Sequence, residues 1–214
     1  MTAASGAGDR AVRLARGAQL LGIDLGARQR ARLLGLVDLL EYWNRAFNLT
    51  AVRDPEAMIA QHLLDSLAIA PYLAGESILD LGTGPGLPGL PLAIVRPERR
   101  FRLLDANGKK IRFVRQAVAE LELENVEPVQ ARMESYRPEG NFSTIVARAL
   151  APVAEIHALT SHLLAAPGRL LLMKGRYPAE ELADPRLAGL AISVRPLQVP
   201  FLASERHLVE IRRG

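Results

Sequence analysis

The stretch Ile78-Leu79-Asp80-Leu81-Gly82-Thr83-Gly84-Pro85-Gly86-Leu87-Pro88-Gly89 constrains this chain most, because an apolar strand runs into alternating glycines and then into a helix pattern. Such a strand-turn-helix unit belongs to a parallel α/β sheet, whose ligands lie at the carboxyl ends of the strands. Glycines at 82, 84 and 86 leave no side chains on the turn, so backbone amides can approach a ligand closely. Asp80 sets a carboxylate beside the same turn, and an acid there suits a cationic, amine-bearing ligand.

The rest of the chain agrees with that frame. Short apolar runs at Ile78 to Leu81, Phe101 to Leu104, Val126 to Val129, Thr144 to Ala147 and Leu170 to Met173 alternate with helix patterns at Pro88 to Val95, Asn107 to Leu123 and Pro152 to Leu164. Parallel strands joined by right-handed crossovers are the economical topology. Ala191 to Val199 and His207 to Arg212 read instead as two strands joined by a loop, an antiparallel pair ending the sheet. Before Ser77 the spacing is helical, with two or three helices through Phe47, and Asp54-Pro55-Glu56 opens another from Met58 to Ala70 that Pro71 stops. The expected organisation is a helical extension over residues 1–76 integrated with an α/β core over 77–214.

Composition narrows the function classes. Hydrophobic residues make up 49% and charged residues 23%, enough apolar surface for a sizeable core. There is no cysteine, which removes disulfides, thiolate zinc sites and a cysteine nucleophile. No apolar run reaches the roughly 18 residues needed to cross a bilayer, and the start from Met1 to Gly8 lacks a signal-peptide core, so a cytoplasmic protein without membrane contact is expected. Of the 27 basic residues, only Lys109, Lys110 and Lys174 are lysine; the remainder are arginine, which suits phosphate recognition. Eight arginines between Asp9 and Arg53 face four acids, so a polyanion-facing surface is expected to include this end or, equally, a solvated helix surface lies there.

The second strand ends at Asp105, where a carboxylate can accept both hydroxyls of a ribose. Two acids and a glycine turn fit a nucleoside. A pyrophosphate would prefer bare amides, whereas S-adenosylmethionine carries an amine and a sulfonium and no phosphate, so the acid-glycine pairing favours this donor. The rival is a nicotinamide-dependent oxidoreductase, since Gly84 to Gly89 also satisfies G-x-G-x-x-G. It lacks a proton donor of the Tyr-x-x-x-Lys kind: Ala46, Glu76, Gly140 and Glu181 stand four residues after the four tyrosines. A non-catalytic RNA-binding protein retaining the fold is the alternative from another class.

For a methyl donor, elimination narrows the acceptor atom without fixing it. Pyrimidine carbon-5 usually requires a cysteine nucleophile, which is absent. Exocyclic amines commonly use an Asn/Asp-Pro-Pro-aromatic loop after strand four, where this chain has Ala147-Arg148-Ala149-Leu150. Ribose methylation wants an acid where Arg148 stands, although Lys174 ends strand five. Guanine N7 presents a free lone pair at neutral pH and needs no general base, so positioning can carry the reaction.

These residues resemble the bacterial small-subunit (16S) ribosomal RNA guanine-N7 methyltransferases, the glucose-inhibited division protein B family. The resemblance rests on Asn48-Leu49-Thr50, His62-Leu63-Leu64-Asp65-Ser66, Leu79 to Pro91, Leu104 to Lys110 with Phe113, Arg132-Met133-Glu134, Arg148-Ala149 and Met173-Lys174-Gly175. It implies a Rossmann-like class I methyltransferase with a mostly parallel seven-stranded sheet, an antiparallel C-terminal strand pair and an N-terminal helical extension. It implies a monomeric, metal-free enzyme acting on 16S ribosomal RNA in the 530-loop region, within the small ribosomal subunit or on free RNA. The implied cofactor residues are Asp80, Gly82, Gly84, Gly86, Leu87, Asp105, Met133, Glu134 and Arg148, with Met133 and Glu134 holding the adenine. Arg148 meets either the cofactor's carboxylate or the guanine's oxygen, and Lys174 either an RNA phosphate or solvent; both are positioning candidates, and no acid or base is assigned. His62 is read as structural or pocket-shaping, and Lys109, Lys110, Arg112 and Arg115 as a solvated face or a second phosphate contact.

Overall fold

In a computed structural model that describes residues 3–214, the apolar runs become strands β1 (Ser77–Leu81), β2 (Arg100–Asp105), β3 (Val126–Gln130), β4 (Phe142–Arg148), β5 (Leu164–Lys174), β6 (Ala191–Pro196) and β7 (His207–Arg213). They form one sheet in the order β3-β2-β1-β4-β5-β7-β6. The first five are parallel, and β7 lies antiparallel between β5 and β6. The expected seven-stranded, Rossmann-like α/β sheet with an antiparallel finish is therefore present. Met1 and Thr2, where the start read as lacking a signal-peptide core begins, lie outside the described residues, and no described helix is long and apolar enough to cross a membrane.

Side chains alternate across the strands and so divide the interior in two. Ile78, Leu103, Val146, Leu171 and Leu208 face one layer, while Leu79, Leu81, Ile145, Leu170 and Val209 face the other. The first layer is covered by α1 (Ala3–Leu20), α2 (Ala27–Phe47), α5 (Gly89–Val95) and α6 (Gly108–Glu120); α7 (Val153–Thr160) covers the second. Leu33, Leu36, Val37 and Leu40 of α2 belong to the same apolar cluster as Phe101 and Phe113, and Trp43 sets its ring edge-on to Phe113 at 5.7 Å between centroids. The helical extension and the sheet thus share a core.

Local signals explain the element ends. Asp54 accepts from the amides of Glu56 and Ala57, with Pro55 at the first position of α3 (Pro55–Met58). Asn107 caps α6 by accepting from the amides of Lys109 and Lys110. Some boundaries depart from expectation. The helix expected through Ala70 passes through a π-helical turn (Ile59–Leu64) into α4 (Asp65–Leu67), and Pro71 sits inside a 3-10 turn (Ala70–Tyr72) instead of ending an α-helix. The helix expected to reach Leu164 ends at Thr160, because Leu164 pairs with Phe142 as the start of β5. Pro167 has no amide hydrogen to continue that ladder, so β5 bulges before resuming its pairing at Arg169.

The C-terminal strands are tied by one carboxylate. Glu210 of β7 points into the first layer with its side chain 1% exposed, and accepts from Arg212 at 2.9 Å and Arg195 at 3.0 Å, with Arg169 at 3.3 Å. These arginines come from β7, β6 and β5, so the ion cluster fixes the order of all three strands.

A shared core predicts shared unfolding. Leu36→Ala, at a position with no solvent exposure, is expected to lower stability by about 2–5 kcal/mol within a single cooperative denaturant transition. Circular dichroism and Trp43 fluorescence should give the same midpoint; two separate transitions, only one of them shifted, would contradict a common core.

Candidate active site

Three glycines make the turn after β1 possible: Gly82, Gly84 and Gly86 have φ of 65°, 59° and 82°, a region that side chains disfavour. At Gly82 a Cβ would also come within 2.6 Å of the Leu150 side chain. Two carboxylates hold the turn. From below, Asp80 Oδ2 accepts from the Thr83 hydroxyl at 2.5 Å and from the Gly89 amide at 2.8 Å. From the side, Asp105 Oδ2 accepts from the Gly84 amide at 2.9 Å and Oδ1 from the Asn107 amide at 2.8 Å.

The two acids play different parts. Asp105 lines a cleft of about 500 Å³, and each of its oxygens keeps acceptor capacity for a ligand hydroxyl. Asp80, expected to face the ligand, is instead wholly buried, which corrects the reading from sequence. Alternation along β1 turns it toward α5, where a side chain at Gly89 would strike its Oδ2 at 2.6 Å. Burial pushes its carboxyl up to about 6, against the hydrogen bonds from Thr83 and Gly89 and the positive charge of Arg148. Gly86 is likewise absent from the cleft wall and packs on Leu90.

The other expected residues come together. Gly82, Gly84, Leu87, Asp105, Met133, Glu134 and Arg148 all line the cleft, with Met133 and Glu134 on a 3-10 turn (Met133–Ser135) after β3. Lys110, from the helix face read as solvated or phosphate-binding, and Arg132 line it too. The glycine cradle and the Asp105 carboxylate suit the ribose and amino-acid portions of S-adenosylmethionine, so the residues present fit that group.

A second chamber of about 350 Å³ adjoins the first, lined in part by His62, Asp65, Lys174 and Arg206. Arg148 and Ala149 belong to both walls. Arg148 Nη1 donates to Asp65 Oδ2 at 3.2 Å and to the Gln61 carbonyl at 3.3 Å, and Arg206 Nε donates to Asp65 Oδ1 at 2.8 Å. One buried carboxylate on α4 therefore binds two guanidiniums that line the same chamber. Arg206 escaped the sequence reading because its partner lies 141 residues away and no local pattern marks it.

His62 and Lys174 are both engaged. His62 Nε2 meets the Thr50 hydroxyl at 2.8 Å, and Thr50 is anchored by Asn44 through its amide and carbonyl. Burial, reinforced by the Arg148 charge, pushes His62 down to about 4 and keeps it neutral at physiological pH. Asn48 ends α2 in the left-handed region and accepts from Arg53. Lys174 Nζ donates to Glu181 Oε2 at 2.7 Å and to the Ala151 carbonyl at 2.9 Å, a paired position that neither a solvated loop tip nor a free phosphate contact describes. At the basic N-terminal end, Arg10, Arg28 and Arg45 pair with Asp38, Glu122 and Glu41.

The buried carboxylate has a signature in pH. A folded-state value raised from 3.8 to about 6 means that the stability Asp80 contributes is complete below about pH 4 and lost as pH rises through 6. His62 runs the other way, contributing above 6.5 and losing stability as pH falls toward about 4. The two offset in the wild type, so the difference between wild type and Asp80→Asn is the informative quantity. Relative to the variant, wild type is expected to lose about 2 kcal/mol between pH 4 and pH 6 in urea titrations, out of about 3 kcal/mol over the whole range. A flat difference curve would contradict the buried, unpaired environment.

Comparison with known proteins identifies the family. A family model described as rRNA small subunit methyltransferase G matches residues 29–209. The ribosomal RNA small subunit methyltransferase G of Methylococcus capsulatus is 54% identical over 199 residues, covering 93% of this chain and 97% of that protein. The protein of the same description from Escherichia coli K12 is 48% identical over 191 residues, covering 89% and 92%. A SAM-dependent methyltransferase from Aquifex aeolicus superposes with a TM-score of 0.55 at 18% identity, over 74% of this chain and 94% of that one. A tRNA (uracil-54, C5)-methyltransferase from Pyrococcus abyssi, solved with S-adenosyl-L-homocysteine, superposes with a TM-score of 0.52 at 18% identity, over 68% and 36%. Such structural likeness speaks to the fold alone, but the sequence matches run through nearly the whole of both partners, and on them the chain belongs to the rRNA small subunit methyltransferase G family.

Proposed function

We propose that this chain transfers the methyl group of S-adenosylmethionine to N7 of a guanine in 16S ribosomal RNA. The observation that carries the reading is the wall shared by the two chambers: Arg148 and Ala149 separate a glycine-lined cleft bearing Asp105 from a basic chamber that opens beside it. Asp105 accepts the ribose hydroxyls, the turn from Gly82 to Leu87 cradles the amino-acid portion, and Met133 and Glu134 flank the adenine. When bound, the cofactor supplies a methyl group on a positively charged sulfur.

The second chamber receives the purine. Guanine N7 attacks with a lone pair that carries no proton, so the chain need not hold a general base; it must align the ring and exclude water. The residues present suit that task. His62 is neutral, and Asp65 balances part of the charge of Arg148 and Arg206, which moderates the repulsion of a purine that becomes cationic as the methyl arrives. Arg148 and Arg206 remain able to meet the guanine oxygen or a neighbouring phosphate, each having donors beyond the one given to Asp65. Both chambers are built by one chain, which supports a monomeric enzyme, and an rRNA substrate supports a cytoplasmic site of action on the small subunit or its free RNA.

Small subunits from cells lacking this protein, incubated with it and a methyl-labelled donor, are expected to yield 7-methylguanosine at a single position of 16S RNA after nuclease digestion. Label on another atom, or titratable binding of a nicotinamide cofactor in its place, would overturn the assignment.

Two substitutions separate the chambers. Gly82→Asp introduces a Cβ against Leu150 and a charge into the cradle, and is expected to abolish cofactor binding by calorimetry. Lys174→Ala is expected to lower kcat/KM for RNA by about 10- to 100-fold with cofactor Kd within about threefold of wild type. Normal cofactor binding by Gly82→Asp would remove the cleft assignment.

A further inference from the structure

Arg148 and Ala149 form the wall between the chambers and open a segment that runs through Pro152 into α7, and its conformation is unfavourable. Ala149 has φ of 48°, a left-handed position that a non-glycine residue adopts only when its surroundings impose it. Leu150 meanwhile abuts Gly82 of the glycine turn, so the segment shapes the cofactor cleft as well. Something must hold this wall at both ends. At its start, Arg148 is held by Asp65 and the Gln61 carbonyl.

At its far end the holder is Glu181, on the short helix α8 (Ala179–Leu182), outside every motif of the chain. Its Oε2 accepts from the Val153 amide at 2.8 Å and from Lys174 Nζ at 2.7 Å, and Lys174 in turn donates to the Ala151 carbonyl at 2.9 Å. Val153 opens α7, and Pro152 before it has no side-chain oxygen to cap the helix, so the Glu181 carboxylate satisfies an amide that would otherwise lack a partner and complements the positive end of the helix. The Lys174 side chain is 13% exposed while lining the acceptor chamber, so its ammonium is a brace drawn across the wall more than a free cation.

We infer that Glu181 is a positioning residue for methyl transfer: through Lys174 and the Val153 amide it anchors the far end of the segment Arg148–Pro152, and so holds the wall at Arg148 and Ala149 in the strained geometry that aligns donor and acceptor. The inference rests on the methyl-transfer reading above. It distinguishes holding from binding, because loss of the brace should slow turnover without weakening the grip on either substrate.

The test is a double-mutant cycle in single-turnover and steady-state methylation of small subunits by the full chain, using E181A, E181Q, K174M and E181A/K174M. E181A is expected to lower kcat by roughly 10- to 100-fold, with KM for RNA and Kd for the cofactor each within about threefold of wild type. Gln can still accept from Val153 but lacks the charge that holds Lys174, so E181Q should fall between wild type and E181A. The double variant should be no slower than the slower single variant by more than about threefold, since one brace has been removed twice. Thermal melts of E181Q guard against a folding defect in E181A.

Several results would overturn the inference. Wild-type turnover in E181A would do so, as would losses that multiply in the double variant. A lowered KM for RNA with kcat preserved in E181A would also do so, since it would make Glu181 a competitor with RNA for Lys174. If the wild type itself forms no 7-methylguanosine, the functional reading fails instead, and the same assay reports it separately.

Discussion

The structure depends on a turn of glycines that cannot hold itself. Positive φ at Gly82, Gly84 and Gly86 lets the chain reverse tightly beside the cleft, yet glycine also has the most conformational freedom to lose on folding. Asp80 and Asp105 offset that cost from two directions, one beneath the turn and one at its side. Asp80 does so as a wholly buried carboxylate, which burial alone would disfavour in charged form. The chain spends stability there to fix a binding surface.

The same economy recurs at the second chamber. Asp65 is buried and ionically paired, and removing one partner of such a pair costs far more than forming it gains. Its value is geometric: it makes guanidiniums from β4 and from the loop before β7 converge on one point, and it does so from a helix that precedes the sheet. The helical extension therefore lines the second chamber. His62, reached through Thr50 and Asn44, ties the end of α2 to that same wall.

Much of this was legible in the residues. The strand-glycine-helix unit, the cap at Asp54, the sheet class and the cleft position of Asp105 follow local rules of spacing and end-capping, while the family resemblance contributed Met133, Glu134 and Arg148. What escaped has a common physical cause. Which face Asp80 occupies depends on what covers β1, and the partners of Arg206 and Lys174 depend on distant loops, so no local pattern encodes them. The early start of β5 was hidden because Leu163-Leu164 continues a helical spacing while Pro167 interrupts the strand's ladder. Local chemistry sets elements and caps; long-range ion pairs decide which charges remain free.

The central claim is that the reacting sulfur sits at the wall formed by Arg148 and Ala149, facing the chamber of His62, Asp65 and Arg206. A crystal structure with S-adenosylhomocysteine measures this directly. The account predicts ribose hydroxyls on Asp105, adenine beside Met133 and Glu134, and the sulfur open toward the second chamber. A ligand whose sulfur faces away from that chamber, or one seated outside the glycine turn, would contradict it.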